Sequence, residues 1–168
     1  MSTNIRVVPA TEHDITVVLG FIKRLAEYEK AASHEVEATE DLLLKNLFGP
    51  HPYAHVLLAY VKRPTDNQEV VAGFALYFFN FSTWKGRPGL YLEDLFVDSE
   101  FRGFGIGKRL LAHLAAIAKK RECGRMEWVV LDWNEPAIRF YESLGARQLN
   151  EWIINRVAGQ ALGDLAEM

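Results

Sequence analysis

Arg102-Gly103-Phe104-Gly105-Ile106-Gly107 stands between an apolar run, Leu90-Tyr-Leu-Glu-Asp-Leu-Phe-Val97, and an amphipathic run through Lys120. A strand, a glycine-rich turn and the start of a helix therefore fall in that order. Such a turn lets backbone N–H groups converge on one point, and a helix N-terminus adds partial positive charge. Together these features hold phosphate oxygens. The expected ligand is a phosphorylated cofactor.

Downstream, Ile106, Leu110, Leu111, Leu114 and Ile117 form one apolar helix stripe. Lys119, Lys120 and Arg121 sit at its C-terminal end, where the helix dipole favours cations, and Gly124 follows as a stop. Residues 126–131 read as the next strand. Pro136 suits a first helical position and Gly145 the residue past the end. Residues 148–157 read as a last strand, and the tail after Gly159 as a frayed or short helical end. Upstream, residues 5–9 read as a first strand, and Thr11 with Asp14 matches a capping box. Ile15, Val18, Leu19, Ile22 and Leu25 recur at helical spacing up to Tyr28-Glu29. Thr39 caps a second helix that ends at Gly49-Pro50. Strands over 55–61 and 70–79 flank the turn cluster Pro64-Thr-Asp-Asn-Gln68, and Trp84-Lys-Gly-Arg-Pro-Gly89 is a further turn. This order gives a single α/β layer structure, one domain over residues 1–168.

The composition fits such a domain. Of 168 residues, 49% are hydrophobic and 24% charged, and the formal net charge is −3. The longest basic run is Lys119-Lys120-Arg121, which argues against a nucleic-acid partner. No apolar run approaches the roughly 18 residues that span a bilayer, and the first residues lack a signal-peptide layout. The single cysteine, Cys123, excludes an internal disulfide and reads as a small packing residue. Histidines 13, 34, 51, 55 and 113 show no metal-ligand spacing, so no metal is expected. A cytoplasmic location is the expectation.

Three phosphate motifs compete for the loop. The dinucleotide fingerprint G-x-G-x-x-G fails because the third glycine, Gly107, comes one position early. The P-loop G-x-x-x-x-G-K-[ST] fails because Arg109 stands at the hydroxyl position and Arg102 at the first glycine. The third pattern, Arg/Gln-x-x-Gly-x-Gly/Ala, is met by Arg102, Gly105 and Gly107. It resembles the acetyl-CoA pyrophosphate loop of the GNAT N-acetyltransferase superfamily. Tyr91-Leu-Glu-Asp-Leu-Phe-Val97 before it and Leu131-Asp-Trp-Asn-Glu-Pro-Ala-Ile-Arg-Phe-Tyr141 after it extend the resemblance to the diamine (spermidine/spermine) and thialysine N-acetyltransferase branch. It runs from about residue 5 to residue 157. Ser82-Thr-Trp-Lys-Gly-Arg87 is more similar to thialysine-type members, since spermidine-type ones tend to carry an acidic residue near position 82. The implied fold is the acyl-CoA N-acyltransferase fold, a mixed central sheet with helices on both faces.

Acetyl transfer to an amine needs a neutral nitrogen. A lysine-like amine, pKa near 10.4, is neutral in only about one molecule in 10³ at pH 7, a deficit of roughly 4 kcal/mol. A carboxylate attracts the cation and relays its proton, directly or through water. Glu93 and Asp94 lie in an otherwise apolar strand, where burying both without purpose is costly. Adjacent in an extended chain, they are expected on opposite faces. The resemblance implies that Glu93 contacts the amine and acts as base relay.

The same resemblance implies that the segment Leu95-Phe96-Val97 meets the acetyl and pantetheine portion through backbone groups of Leu95 and Val97. An N–H there polarises the carbonyl. In that superfamily the strands corresponding to 90–97 and 126–131 splay apart and leave those groups free. The loop from Gly103, Phe104, Gly105, Ile106 and Gly107 takes the diphosphate, and the charges of Arg102 and Lys108 suit the phosphates of CoA. Asn134 meets the pantetheine arm. Tyr141, a phenol of pKa near 10, is the general acid for the leaving thiolate. Tyr28, Glu29, Trp84, Asp94 and Trp152 line the amine pocket with Glu93, and Glu127 its far end; aromatic faces and carboxylates suit a cation.

The expected activity is acetyl transfer from acetyl-CoA to thialysine, a lysine-like amine or a diamine or polyamine, by direct attack, in a homodimer. A protein lysine or N-terminus as acceptor is the alternative within the fold. A non-catalytic CoA-binding regulatory module is the alternative outside catalysis, and Glu93 with Tyr141 speaks against it.

Overall fold

The structure is a computed structural model that describes residues 4–63 and 65–168. Pro64, first residue of the expected turn cluster, lies outside the described residues. The chain forms two compact units, Met1–Val129 and Val130–Met168.

The first unit is built on a five-stranded sheet in the order β1 (Arg6–Pro9), β2 (His55–Lys62), β3 (Glu69–Ser82), β4 (Arg87–Val97) and β5 (Met126–Glu127). The first four strands pair antiparallel, and β5 joins β4 in parallel. Helices α1 (Ile15–Tyr28) and α2 (Glu40–Phe48) cover one face. Their Val18, Phe21, Leu25 and Leu47 pack with Val56, Leu58, Phe74 and Phe96 of the sheet. Phe21 stacks on Phe74 at 5.2 Å and meets Phe96 edge-on at 6.2 Å. Such ring pairs add about 1 kcal/mol each beyond their burial.

Gly73 follows Ala72 and precedes Phe74, so it faces the opposite side of the sheet from Phe74. There it meets Ile106 of α3 (Ile106–Lys120), whose Leu110, Leu111 and Leu114 are buried. The sheet thus carries helices on both faces, as expected. The entries to both helices follow the capping rules: the Thr11–Asp14 box caps a one-turn helix, Glu12–Asp14, that runs into α1, and Thr39 caps α2. Thr11 N donates to Asp14 Oδ2 at 2.7 Å, and Leu42 N donates to Thr39 Oγ1 at 3.2 Å.

Several boundaries differ from the sequence reading. The β3–β4 ladder runs out to Ser82↔Arg87, because Lys85 N donates to Ser82 Oγ at 3.3 Å and tightens the hairpin turn. β5 is two residues long rather than six. In the second unit, α4 (Glu135–Ser143) starts one residue before Pro136, because Asn134 takes the cap: its Oδ1 accepts from Ala137 N at 3.4 Å. Gly145 closes the helix at φ +89°, donating to Glu142 O. Residues 148–157 are not a strand; among the described residues no ladder partner pairs with them, and extended chain without a ladder is not a strand. A short helix, α5 (Gln160–Ala166), ends the chain.

The feature that shapes the site is a β-bulge in β4. Leu76 of β3 pairs with Asp94, while the next residue, Tyr77, pairs with Leu92. Glu93 is therefore the extra residue that no rung of β3 opposes.

Candidate active site

The bulge corrects the expectation that Glu93 and Asp94 point to opposite faces. Phe78↔Tyr91 lies on the α1–α2 face, as does Phe74↔Phe96. Between Tyr91 and Phe96 a regular strand would change phase; the extra residue restores it. Asp94 pairs with Leu76 on that same face, and Glu93 lies beside it within electrostatic reach. Glu29, the residue that ends α1, completes the group. Burial first, then Glu93 and Glu29, push the Asp94 carboxyl up to about 7. Burial also raises the Glu29 carboxyl. Glu93 itself is exposed. Three carboxylates at the end of α1 and the bend of β4 make a region of negative potential, of the kind that suits a small cation.

The bulge also sets which backbone groups meet the open side of β4. Leu90 N donates to Arg125 O at 3.1 Å, so the N–H and C=O of Leu90 and Leu92 face β5. Past the extra residue the alternation inverts, and Leu95 and Val97 face that side instead. The parallel ladder has only two rungs, Leu90↔Met126 and Tyr91↔Glu127. The backbone of Leu95 and Val97 therefore lies beyond the last rung, on the edge where the sequence reading put acyl contacts. Phe96, between them, turns its buried side chain into the α1–α2 core.

The chain leaves β4 through Asp98, whose N–H donates to Ala72 O at 2.9 Å and whose carboxylate pairs with Arg24 at 3.1 Å. A one-turn helix over Ser99–Phe101 follows, with Phe101 buried. Arg102 is extended, and Gly103 and Gly105 both have φ +84°. A Cβ built at either glycine would meet nothing within 4 Å. Glycine is therefore required there by backbone conformation and not by protein packing. Gly105 is the left-handed N-cap of α3, with Phe104 half exposed before it and Ile106 buried after it. Gly107 and Lys108 are in the first turn, whose amides have no acceptor within the helix. Lys108 is exposed.

The Arg102 side chain reaches back to the sheet. Its Nε donates to Val97 O at 3.0 Å, and its guanidinium lies 4.7 Å from the ring of Tyr28 and 5.5 Å from that of Phe96. Tyr28 in turn meets Phe96 edge-on at 6.3 Å.

Other expected acceptor residues lie elsewhere. Trp84, at the tip of the β3–β4 turn, is 91% exposed. Glu127 pairs with Tyr91 and is engaged by Arg125, whose Nε lies 2.9 Å from Glu127 Oε2. That nitrogen is off the line of a directed hydrogen bond, so the pair is ionic. In the second unit, Asn134 is buried as the α4 cap, and Tyr141 is half-buried on α4 with Phe140 at 5.4 Å. Trp152 is 67% exposed. Among the described residues no cluster of His, Cys, Asp and Glu could hold a metal ion. None of their helices is long and apolar enough to cross a membrane. A surface hollow of about 460 Å³ lies over Gly20, Arg24, Val71 and Asp98 and contains none of the candidate residues.

Two supports escaped the sequence reading. Gly73 pairs with Val97, and a Cβ there would lie 2.8 Å from Phe96 O. A lone glycine inside an apolar strand signals such a close approach. The Arg24–Asp98 pair carried no local signal, since its members are far apart in sequence.

Residues 22–146 match the acetyltransferase (GNAT) family. The chain is similar to thialysine N-epsilon-acetyltransferase of Mus musculus, at 39% identity over 98% of both chains. It is 41% identical to the protein of that name from Bos taurus, over 94% of each. The solved structure of an integron cassette protein from the mobile metagenome of V. cholerae matches 100% of this chain and 99% of its own, with TM-score 0.78 and 31% identity.

Proposed function

The chain belongs to the acetyltransferase (GNAT) family, an acyltransferase class, and on that premise we propose that it moves acetyl from acetyl-CoA to a primary amine of a small cationic acceptor. Thialysine, a lysine-like amine or a short diamine or polyamine is the favoured acceptor, in line with the names of the relatives. The observation that carries the proposal is the bulge at Glu93. It gathers Glu93 and Asp94 with Glu29 for a cation, and turns Leu95 and Val97 toward the open edge.

The loop fits the co-substrate. Open space over Gly103 and Gly105, positive φ at both, and unpaired first-turn amides suit a diphosphate. Lys108 would add charge, and Leu95 and Val97 would hold the acyl arm by their backbone. When bound, acetyl-CoA supplies an acetyl group activated as a thioester, which is exchanged for an amide with release of the thiol.

The protein's part is to hold and move protons. Glu29, Glu93 and Asp94 hold the ammonium. A carboxylate oxygen of Glu93, directly or through water, takes its proton and leaves the nitrogen lone pair free to attack. A backbone N–H at Leu95 or Val97 steadies charge on the acyl oxygen. The phenol of Tyr141 returns a proton to the leaving sulfur. Asn134 serves the pantetheine arm, and Trp84, Glu127 and Trp152 the outer acceptor site. We take the two units as one domain, since the family match crosses their boundary. A cytoplasmic homodimer completes the proposal; exposed Trp152, Ile153, Ile154 and Val157 form an apolar run suited to a second copy.

Initial rates with thialysine, lysine, putrescine and spermidine test the activity. Thioester consumption with at least one of them is expected. Consumption only with a lysine-bearing peptide moves the acceptor to protein, and CoA binding without any turnover favours a regulatory module.

A further inference from the structure

We propose that Arg102 is a positioning residue of the amine site: it fixes Tyr28, at the end of α1, to the end of β4. The proposal rests on the acetyl-transfer assignment and deepens it. Arg102 opens the glycine loop, and its charge suits a phosphate, yet its side chain is committed elsewhere. Nε donates to Val97 O at 3.0 Å, and the guanidinium stands over the Tyr28 ring at 4.7 Å with Phe96 at 5.5 Å. A planar fork can bond a carbonyl through one edge while its whole face covers a ring; an ammonium is a point charge with no such flat face. The cation also lies by the last residue of α1, the negative end of that helix.

The consequence reaches the carboxylates through the chain. Glu29 follows Tyr28 directly, and Glu29 acts on Asp94. Fixing Tyr28 against β4 therefore sets how far Glu29 stands from Glu93 and Asp94, and so which cation the three accept. The amides of the glycine loop are left to carry the diphosphate.

The test compares Arg102→Lys, Arg102→Gln, Tyr28→Leu and the double variant Arg102→Lys/Tyr28→Leu. CoA dissociation constants come from titration calorimetry, and kcat and KM for the amine from rates at saturating acetyl-CoA. Arg102→Lys keeps the charge and loses the fork. The expected result is a CoA dissociation constant within about two-fold of wild type and an amine KM raised about three- to thirty-fold, the span of a partly desolvated cation–π contact. The double variant is expected to be no worse than the poorer single variant, because the two side chains act as one unit. CoA affinity lost in Arg102→Gln but restored in Arg102→Lys, with amine KM unmoved, overturns the proposal and returns Arg102 to the phosphates. Additive effects of the two single changes overturn it as well. A wild-type enzyme that acetylates no amine defeats the acetyl-transfer assignment together with this proposal; turnover in wild type with an unmoved amine KM in Arg102→Lys defeats this proposal alone.

Discussion

Tyr91 pairs with Glu127 across β4 and β5, and among the described residues no later rung of that parallel ladder follows. Two residues further on, β4 takes in its extra residue, Glu93. The end of the ladder leaves an edge open, and the bulge decides that Leu95 and Val97, rather than Asp94 and Phe96, turn their backbone toward it.

The proposed function thus gives Glu93 two separable roles, one through its carboxylate and one through its mere presence in the strand. Glu93→Gln keeps the bulge and removes the proton acceptor. Turnover is expected to fall about 10²-fold or more, with CoA affinity retained. Deleting Glu93 makes β4 regular while Leu76↔Asp94 and the rungs beyond it keep their register, so Leu95 and Val97 stay on the open side; the carboxylate and the bend of the strand are lost together, and the loss of the bend is expected to weaken CoA binding as well. Calorimetric titration of CoA into the two folded variants separates the roles; equal CoA affinity in both would mean that the bend of β4 does not matter.

Gly105, in the loop, and Gly73, in β3 against β4, require glycine for different reasons. Gly105→Ala meets no atom and suffers only its φ of +84°, a cost of about 1–2 kcal/mol. Gly73→Ala places a methyl 2.8 Å from Phe96 O, between strands that cannot separate cheaply. Gly105→Ala is therefore expected to lower CoA affinity with a small loss of melting temperature, and Gly73→Ala to lower melting temperature more. Thermal unfolding with and without CoA ranks them.

Much of this was legible in the sequence because the signals were local. Thr11 with Asp14 announced α1, Thr39 announced α2, and the glycines at 103 and 105 announced a turn that only glycine tolerates. Glu93 and Asp94 announced a site by sitting in an apolar strand. Their true arrangement was not legible, because a bulge depends on how β3 lies against β4, and nothing in the eleven residues of β4 counts the residues of β3. β5 ended early, and residues 148–157 formed no strand, for the same reason: apolar content gives a tendency to extend, while a ladder requires a partner. The commitment of Arg102 to Tyr28 and Val97 joins residues 74 positions apart, beyond the reach of any spacing rule.

Asp94 makes stability depend on pH with a definite sign. Its carboxyl titrates near 7 in the folded protein against an ordinary value of 3.8, so between these values the folded state holds a proton that the unfolded chain has released. Folding stability is highest below pH 4 as far as this group is concerned, falls as pH rises to about 7, and then levels off. The full span is at most about 4 kcal/mol at about 1.4 per unit. Glu29, raised by burial, acts in the same direction. Asp94→Asn removes the penalty. Its melting temperature is expected to exceed that of wild type more at pH 8 than at pH 5, and a bound diamine should narrow the gap by supplying the missing cation. A gap independent of pH would mean that Asp94 ionises freely.

Tyr141 is expected to separate binding from chemistry. On α4 it is half-buried beside Phe140, and loss of one oxygen leaves that packing intact. Tyr141→Phe removes the phenolic hydroxyl and with it the proton donor. A thiolate that leaves without a proton donor costs a factor of about 10²–10⁴, so kcat should fall by that much, with the CoA dissociation constant and melting temperature close to wild type. The loss should shrink with an acyl donor whose thiol is more acidic, since a better leaving group needs the proton less. A Tyr141→Phe enzyme with undiminished kcat, or a deficit indifferent to thiol acidity, would assign the proton to another donor.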